Sequence, residues 1–115
     1  MDNPCGIDIN SLQNFISKPI LKKLNWGERG ILIEGPAFRL EKIRVDAGSS
    51  ADLDGDANFE TTLWIEEGKG SIQGIEMGDS DTITLPPRQK WSIVAEKPIT
   101  AYLFYGPAAT GSEYL

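Results

Sequence analysis

Residues 61–107 read TTLWIEEGKGSIQGIEMGDSDTITLPPRQKWSIVAEKPITAYLFYGP, and this stretch decides the fold. It breaks into short apolar runs divided by glycine and proline. TTLWIEE (61–67) ends at Gly68-Lys69-Gly70, SIQGIEM (71–77) at Gly78-Asp79, and DTITL (81–85) at Pro86-Pro87. WSIVAE (91–96) ends at Lys97-Pro98, and ITAYLFY (99–105) at Gly106-Pro107. Upstream, ILIE (31–34) ends at Gly35-Pro36 and FRLEKIRV (38–45) at Asp46-Ala47-Gly48. Seven such runs at roughly ten-residue spacing read as an all-β sandwich or barrel.

Alternation supports that reading. Thr61, Leu63 and Ile65 share one face of their strand, with Thr62 and Trp64 on the other. The run 38–45 breaks parity, because Phe38 and Leu40 fall on the face opposite Ile43 and Val45. Either a bulge sits near Glu41-Lys42 or both faces are partly covered. Cover on both sides would follow if the sheet packs on a second subunit.

The only helical pattern lies in NSLQNFISKPILKKL (10–24), where Leu12, Phe15 and Ile16 recur at helical spacing behind Asn10 or Ser11 as cap. Pro19 breaks the run. The spacing predicts a short helix or arm within residues 1–25, with Ile20, Leu21 and Leu24 docked on a barrel of residues 26–107. Residues 108–115 read as a loose tail.

Composition bounds the partners. The chain has 115 residues, enough for a single core, and a net charge of −6. That charge disfavours nucleic acid, which needs clustered Lys and Arg. No apolar run approaches the ~20 residues of a membrane span. Residues 1–10 carry two acids and no basic apolar leader, so a cytoplasmic location is expected. The lone Cys5 has no basic neighbour to lower its pKa and reads as an incidental thiol. There is no histidine. That excludes Ser-His-Asp and Cys-His catalysis, and with one cysteine it excludes a His/Cys zinc site.

From Trp26 to Pro107 the layout resembles the cupin superfamily of RmlC-like proteins. Trp26-Gly27 followed by FRLEKIRVDAG (38–48) is similar to the approach to the cupin domain in type II mannose-6-phosphate isomerases. The first cupin motif is G-x5-H-x-H-x3,4-E-x6-G. Gly48, Asp54, Asp56, Thr61 and Gly68 match its spacing, with all three ligand positions replaced. In the second motif, G-x5-P-x-G-x2-H-x3-N, Gly78 stands two residues further than usual from the proline, Pro86. Arg88 replaces the glycine, Trp91 the histidine and Ala95 the asparagine. The resemblance implies a double-stranded β-helix, or jelly-roll barrel. A shorter spacing would instead put Glu60 at the glutamate position and turn Thr62 and Trp64 inward. Thr61 is preferred, because it keeps the spacing to Gly68 and makes Trp64 a candidate dimer contact.

The set that the resemblance places around a cupin metal is therefore Asp54, Asp56, Thr61 and Trp91. Indole has only a donor N–H, so no transition metal and no cofactor are expected. The acidic run DLDGDANFE (52–60) has Ala57 and Leu63 where a calcium loop needs its glycine and bidentate glutamate, so it reads as a solvated loop. If Asp54 and Asp56 face inward, one pKa should rise unless a cation pairs with them, Arg39, Arg44, Arg88 and Lys90 being candidates. They equally suit solvent at the barrel mouth. The functional expectation is a metal-free barrel for a small polar or sugar-like ligand, lined by Asp54, Asp56, Thr61 and Trp91 with Arg39 and Tyr102 flanking. A homodimer is expected. Two rivals stand beside it: a metal-independent carbohydrate isomerase, epimerase or lyase using Asp54 or Asp56 as acid–base, and a plugged barrel with a structural or regulatory role.

Overall fold

The structure is a computed structural model that describes residues 20–107. It is all β: β1 (Lys22–Leu24), β2 (Gly27–Glu34), β3 (Arg39–Val45), β4 (Ser50–Leu53), β5 (Phe59–Ile72), β6 (Ile75–Gly78), β7 (Thr82–Leu85) and β8 (Trp91–Pro107). All pairings are antiparallel, in the order β1-β2-β3-β8-β5-β6, with β4 also on β8 and β7 also on β5. Residues 10–19, where the helix was expected, lie outside the described residues.

Two long strands organise the sheet. β8 pairs with β5 from Phe59↔Pro107 to Ile72↔Ile93. On its other edge β8 meets β3 (Arg39↔Tyr105 to Val45↔Ile99) and then β4 (Ser50↔Val94 to Leu53↔Trp91). The corner between β3 and β4 is stitched to β8 by Gly48 N–H to the Ala95 carbonyl (2.8 Å) and Ala95 N–H to the Ser49 carbonyl (3.0 Å). Gly48 sits at φ 77, which favours glycine.

One face stays buried through both halves. Ile43, Val45, Ala51, Leu53, Leu63, Ile65, Ile72, Ile93, Ile99, Ala101 and Leu103 are 0–4% exposed and form one cluster with Trp91 and Tyr105. Strands whose two halves bury one face in one cluster must roll over on themselves, so the sheet closes as a jelly roll.

The roll is made where the sequence suggested turns. Gly68-Lys69-Gly70 lies inside β5, and Lys97-Pro98 inside β8, with register shifts between Ile65 and Gly70. Pro98 has no N–H to give a ladder, and it falls at the irregular step. Gly68 has φ 133, and a Cβ on Gly70 would come 2.1 Å from the Val94 carbonyl oxygen. SIQGIEM is a hairpin rather than one strand: Ile72 faces Ile75 across Gln73 and Gly74, both at positive φ (56 and 75). Gln73 then holds the start of β8, its Oε1 accepting from Ser92 N–H at 2.6 Å and its Nε2 donating to the Lys90 carbonyl at 2.9 Å.

Two local expectations change, and one open alternative is resolved. β4 forms from Ser50–Leu53, inside a stretch read as loop, because Ala51 and Leu53 alternate inward. β1 extends the sheet into the segment assigned to the arm, and Ile20 is 88% exposed rather than docked. The parity break in β3 has no bulge of its own. Its pairing to β8 is regular, the irregularity lies on β2 between Ile31 and Ile33, and the outer face that carries Leu40 is only partly covered. Phe38 stacks outside on Phe104 with ring centroids 6.3 Å apart.

The bend makes a testable demand. Gly70→Ala should destabilise by about 2–3 kcal/mol, since its methyl meets backbone that cannot yield. At Gly78 the nearest atom to an added Cβ is the Gly68 oxygen at 3.6 Å, so Gly78→Ala should cost under about 1 kcal/mol. Urea midpoints of the two variants check the difference.

Candidate functional site

The inward parity of β3 does not stop at Ile43. It continues to Glu41, 5% exposed, and to Arg39. Arg29 on β2 lies opposite Ile43 and so shares that face. There it grips Glu41 as a fork, Nε to Oε1 at 3.0 Å and Nη2 to Oε2 at 3.1 Å. The same Nη2 donates to the Tyr105 hydroxyl at 3.1 Å. Arg39 lies over the Tyr105 ring, its guanidinium carbon 4.0 Å from the centroid. Its Nε is 3.6 Å from Glu41 Oε2 and its Nη2 3.9 Å from Asp56 Oδ2. Asp56 Oδ1 accepts from the N–H groups of Asn58 (2.8 Å) and Phe59 (3.1 Å), which folds the loop over this end.

The cluster sets its own electrostatics. Burial alone would lower the Arg29 pKa, but the hydrogen bonds and charge of Glu41 outweigh it and the pKa is raised. Tyr105 is pushed up to about 12, first by burial and then by the Glu41 carboxylate. It is a neutral phenol at physiological pH.

The residues expected from sequence separate into two groups. Thr61 and Trp91 face inward at 2% and 1% exposure, with Leu63 and Ile65 sharing the Thr61 face and Trp64 outside. The Thr61 register is therefore the one that forms. Arg88 sits at φ 70, the left-handed conformation suited to the glycine of the second motif, and its N–H donates to the Asp56 carbonyl at 2.8 Å. Arg39 and Asp56 meet at one end of the barrel, Nη2 to Oδ2 at 3.9 Å. Asp54 does not join them: its side chain is 92% exposed, 4.0 Å from an exposed Lys90. Tyr102 is also outside, because its position on β8 has the opposite parity to Leu103 and Tyr105. It stacks on Trp64 (5.5 Å) and donates to Glu66 Oε2 at 2.9 Å.

Sequence reading missed Arg29 and Glu41. The signal was available in the i, i+2 series Arg39, Glu41, Ile43, Val45, which places two charges on the core side. Arg44, offered as a partner for the aspartates, instead lines an open cleft of about 950 Å³ outside the bend, with Lys69, Lys97 and Thr100.

A transition-metal centre is what the fold family leads one to test. The inward groups here are an indole, a hydroxyl, a phenol, two guanidiniums and carboxylates already bonded to Arg29 or to backbone N–H groups. Among the described residues no three His, Cys, Asp or Glu side chains converge. This donor set does not fit such an ion.

An antiparallel sheet rolled on one buried face, with polar groups gathered at one end, has the architecture of a cupin. The chain has the RmlC-like cupin fold. No protein-family model and no curated protein matches its sequence. Solved structures do match its shape. An RmlC-like cupin from Shewanella frigidimarina NCIMB 400 is 16% identical with a TM-score of 0.66, over 85% of this chain and 90% of that one. A Streptomyces PAC13 variant with uridine is 15% identical with a TM-score of 0.66, over 84% and 82%. Salicylate 1,2-dioxygenase from Pseudoaminobacter salicylatoxidans, with gentisate, is 19% identical with a TM-score of 0.65. The match covers 74% of this chain but only 26% of the dioxygenase. Among the described residues no helix is long and apolar enough to cross a membrane.

The phenol supplies a pH test. The folded state holds the Tyr105 proton more tightly than the unfolded chain, whose phenol titrates near 10. Its contribution is thus complete below pH 10 and is lost as pH rises through about 12. Between about pH 9 and about pH 12 the native protein should lose on the order of 2 kcal/mol more stability than Tyr105→Phe. Denaturant titrations at both pH values measure it, and equal losses would remove the role assigned to the phenol.

Proposed function

We propose that this cupin-fold chain is a binding protein that holds a small polar or sugar-like molecule at the open end of its barrel, without a transition metal. One observation carries the reading. The Nε1 of Trp91 and the Nε of Arg39 are buried N–H donors with no hydrogen-bond acceptor among the described residues. Arg39 Nε is 3.6 Å from Glu41, an ion-pair distance too long for a hydrogen bond. An unpaired buried donor costs about 1–3 kcal/mol, and a ligand that brings acceptor oxygens recovers that cost. Hydroxyl and carbonyl oxygens suit both donors. The Streptomyces relative, solved with the ribose-bearing uridine, supports a sugar-like class.

Trp91 also supports the metal-free part of the reading, since its donor-only nitrogen stands where the cupin motif has histidine. The acid–base alternative loses ground. Asp54 is turned to solvent, and Asp56 is bonded to its own loop and paired with Arg39. A plugged barrel keeps one specific observation in its favour, because Trp91 and Tyr105, each 1% exposed, occupy the interior.

A thermal-shift panel of monosaccharides, sugar acids and nucleosides separates the two. A ligand at a hundred times its Kd adds about 2.7 kcal/mol of stability, which is readily seen as a rise in Tm. Trp91→Phe keeps an aromatic ring but removes the N–H together with part of the indole's volume, and should weaken a binder about five- to tenfold by calorimetry. A panel without hits leaves the plugged barrel. Stoichiometric iron, nickel or manganese in the purified protein would contradict the metal-free reading.

A further inference from the structure

The bend carries a second polar concavity, away from the charged end of the barrel. It is the open cleft of about 950 Å³ that Arg44 lines, within the size range of small-molecule sites. Arg44 lies five residues along β3 from Arg39, which sets the cleft about 17 Å from the buried cluster.

Charges of both signs line this cleft and do not meet. The cations Arg44, Lys97 and Lys69 come from β3, β8 and β5. Lys69 and Lys97 are direct cross-strand partners, an arrangement that like charges disfavour. The carboxylates of Glu76, Asp79 and Asp81 come from β6 and the turn after it, and that of Glu67 from β5. Among the described residues no ion pair joins any of these cations to any of these carboxylates. Lys69 alone is paired, its Nζ 3.8 Å from Glu96 outside the lining.

The acidic wall is held by backbone bonds. Ser80 N–H donates to the Ile65 carbonyl at 2.8 Å, which ties the turn to β5. Asp79 Oδ1 accepts from Gly68 N–H and Asp81 Oδ2 from Gly78 N–H, both at 2.8 Å. Each carboxylate is fixed through one oxygen and keeps a second acceptor. That balance selects the occupant. A simple anion is drawn to one set of charges and repelled by the other, and so is a simple cation. A molecule with unlike charges at its two ends gains from both sets.

We propose that the cleft binds a small zwitterion, an ammonium and a carboxylate on one short chain. The ammonium lies toward Asp79 and Asp81 and the carboxylate toward Arg44 and Lys97. This site is separate from the ligand proposed for the barrel interior.

Amide NMR titration of the isotope-labelled full chain tests it, with β-alanine, γ-aminobutyrate and ε-aminohexanoate as probes of increasing charge separation. The best of them should bind at least about fivefold more tightly than butyrate or butylamine. It should shift the Gly68 and Gly78 amide resonances, whose N–H groups sit on the two turn carboxylates. Arg44→Gln and Asp79→Asn should each weaken that binding about threefold or more. Asn keeps an acceptor for Gly68 N–H, so the turn stays in place. Equal affinity for butyrate or butylamine overturns the proposal, as does binding indifferent to both variants. Absence of any shift at about 50 mM of all three probes also overturns it. Shifts confined to the Trp91 indole N–H and the Tyr105 amide would put the probe inside the barrel, which overturns this site and leaves the reading of the barrel interior standing.

Discussion

The structure depends on keeping one face of the sheet buried along strands that change neighbours halfway. β8 leaves β4 for β3 across Glu96–Pro98, yet its odd-numbered residues point inward on both sides of that step, from Trp91 to Ala95 and again from Ile99 to Tyr105. β5 solves the same problem differently. It is odd-inward at Thr61, Leu63 and Ile65 and even-inward at Gly70 and Ile72, the change being absorbed by register shifts between. Had β8 changed phase as β5 does, Trp91 and Tyr105 would point to opposite sides. The polar end of the barrel exists because one strand kept phase through a proline and its partner changed phase through two glycines.

Charge inside this barrel comes in balance. Arg29 and Arg39 bring two positive charges to the polar end, and Glu41 and Asp56 bring two negative ones. The Arg29–Glu41 fork is fully formed, with Glu41 buried and Arg29 part-exposed, so removing Arg29 would strand a buried carboxylate while removing Glu41 would leave a cation that water still reaches. The Arg39 contacts are longer and include Asp56 of the overlying loop. Arg39 is thus the member with bonding capacity to spare, and Trp91 is its neutral counterpart. A ligand entering a neutral cluster gains little from carrying net charge and much from carrying acceptors. That preference favours uncharged polar molecules, which is the sense in which the proposed ligand is sugar-like.

The all-β class, the rolled barrel and the positions of Thr61 and Trp91 were legible because they follow from alternation and motif spacing. Arg88 was legible too: it stands where the motif wants glycine, and the backbone there is left-handed. What could not be read was the use of each glycine. Gly68 and Gly70 look like a turn, and so do Gln73 and Gly74, but one pair bends a continuous strand and the other reverses it. Only the carbonyl of Val94, brought close by tertiary pairing, tells them apart. The charged core residues were missed for another reason. Glu41 and Arg29 are 12 positions apart and each alone reads as solvated, so only the β2–β3 register makes them a pair. Asp54 and Asp56 fit the motif equally well, and loop geometry sent one to solvent.

Inside and outside are fixed by the same alternation, which makes the register hard to lose. On β8, Phe104 is exposed between Leu103 and Tyr105, which are buried. On β3, Leu40 and Lys42 alternate with Arg39, Glu41 and Ile43. A slip of one residue in β3 would turn Lys42 and Arg44 into the core and expose Ile43 and Val45, while breaking the Arg29–Glu41 fork. The buried ion pair therefore adds a constraint that apolar alternation alone does not supply. A slip of two residues preserves the faces, and an apolar strand could tolerate it. It would carry Glu41 away from Arg29, and that register is excluded by the cost of an unpaired buried carboxylate.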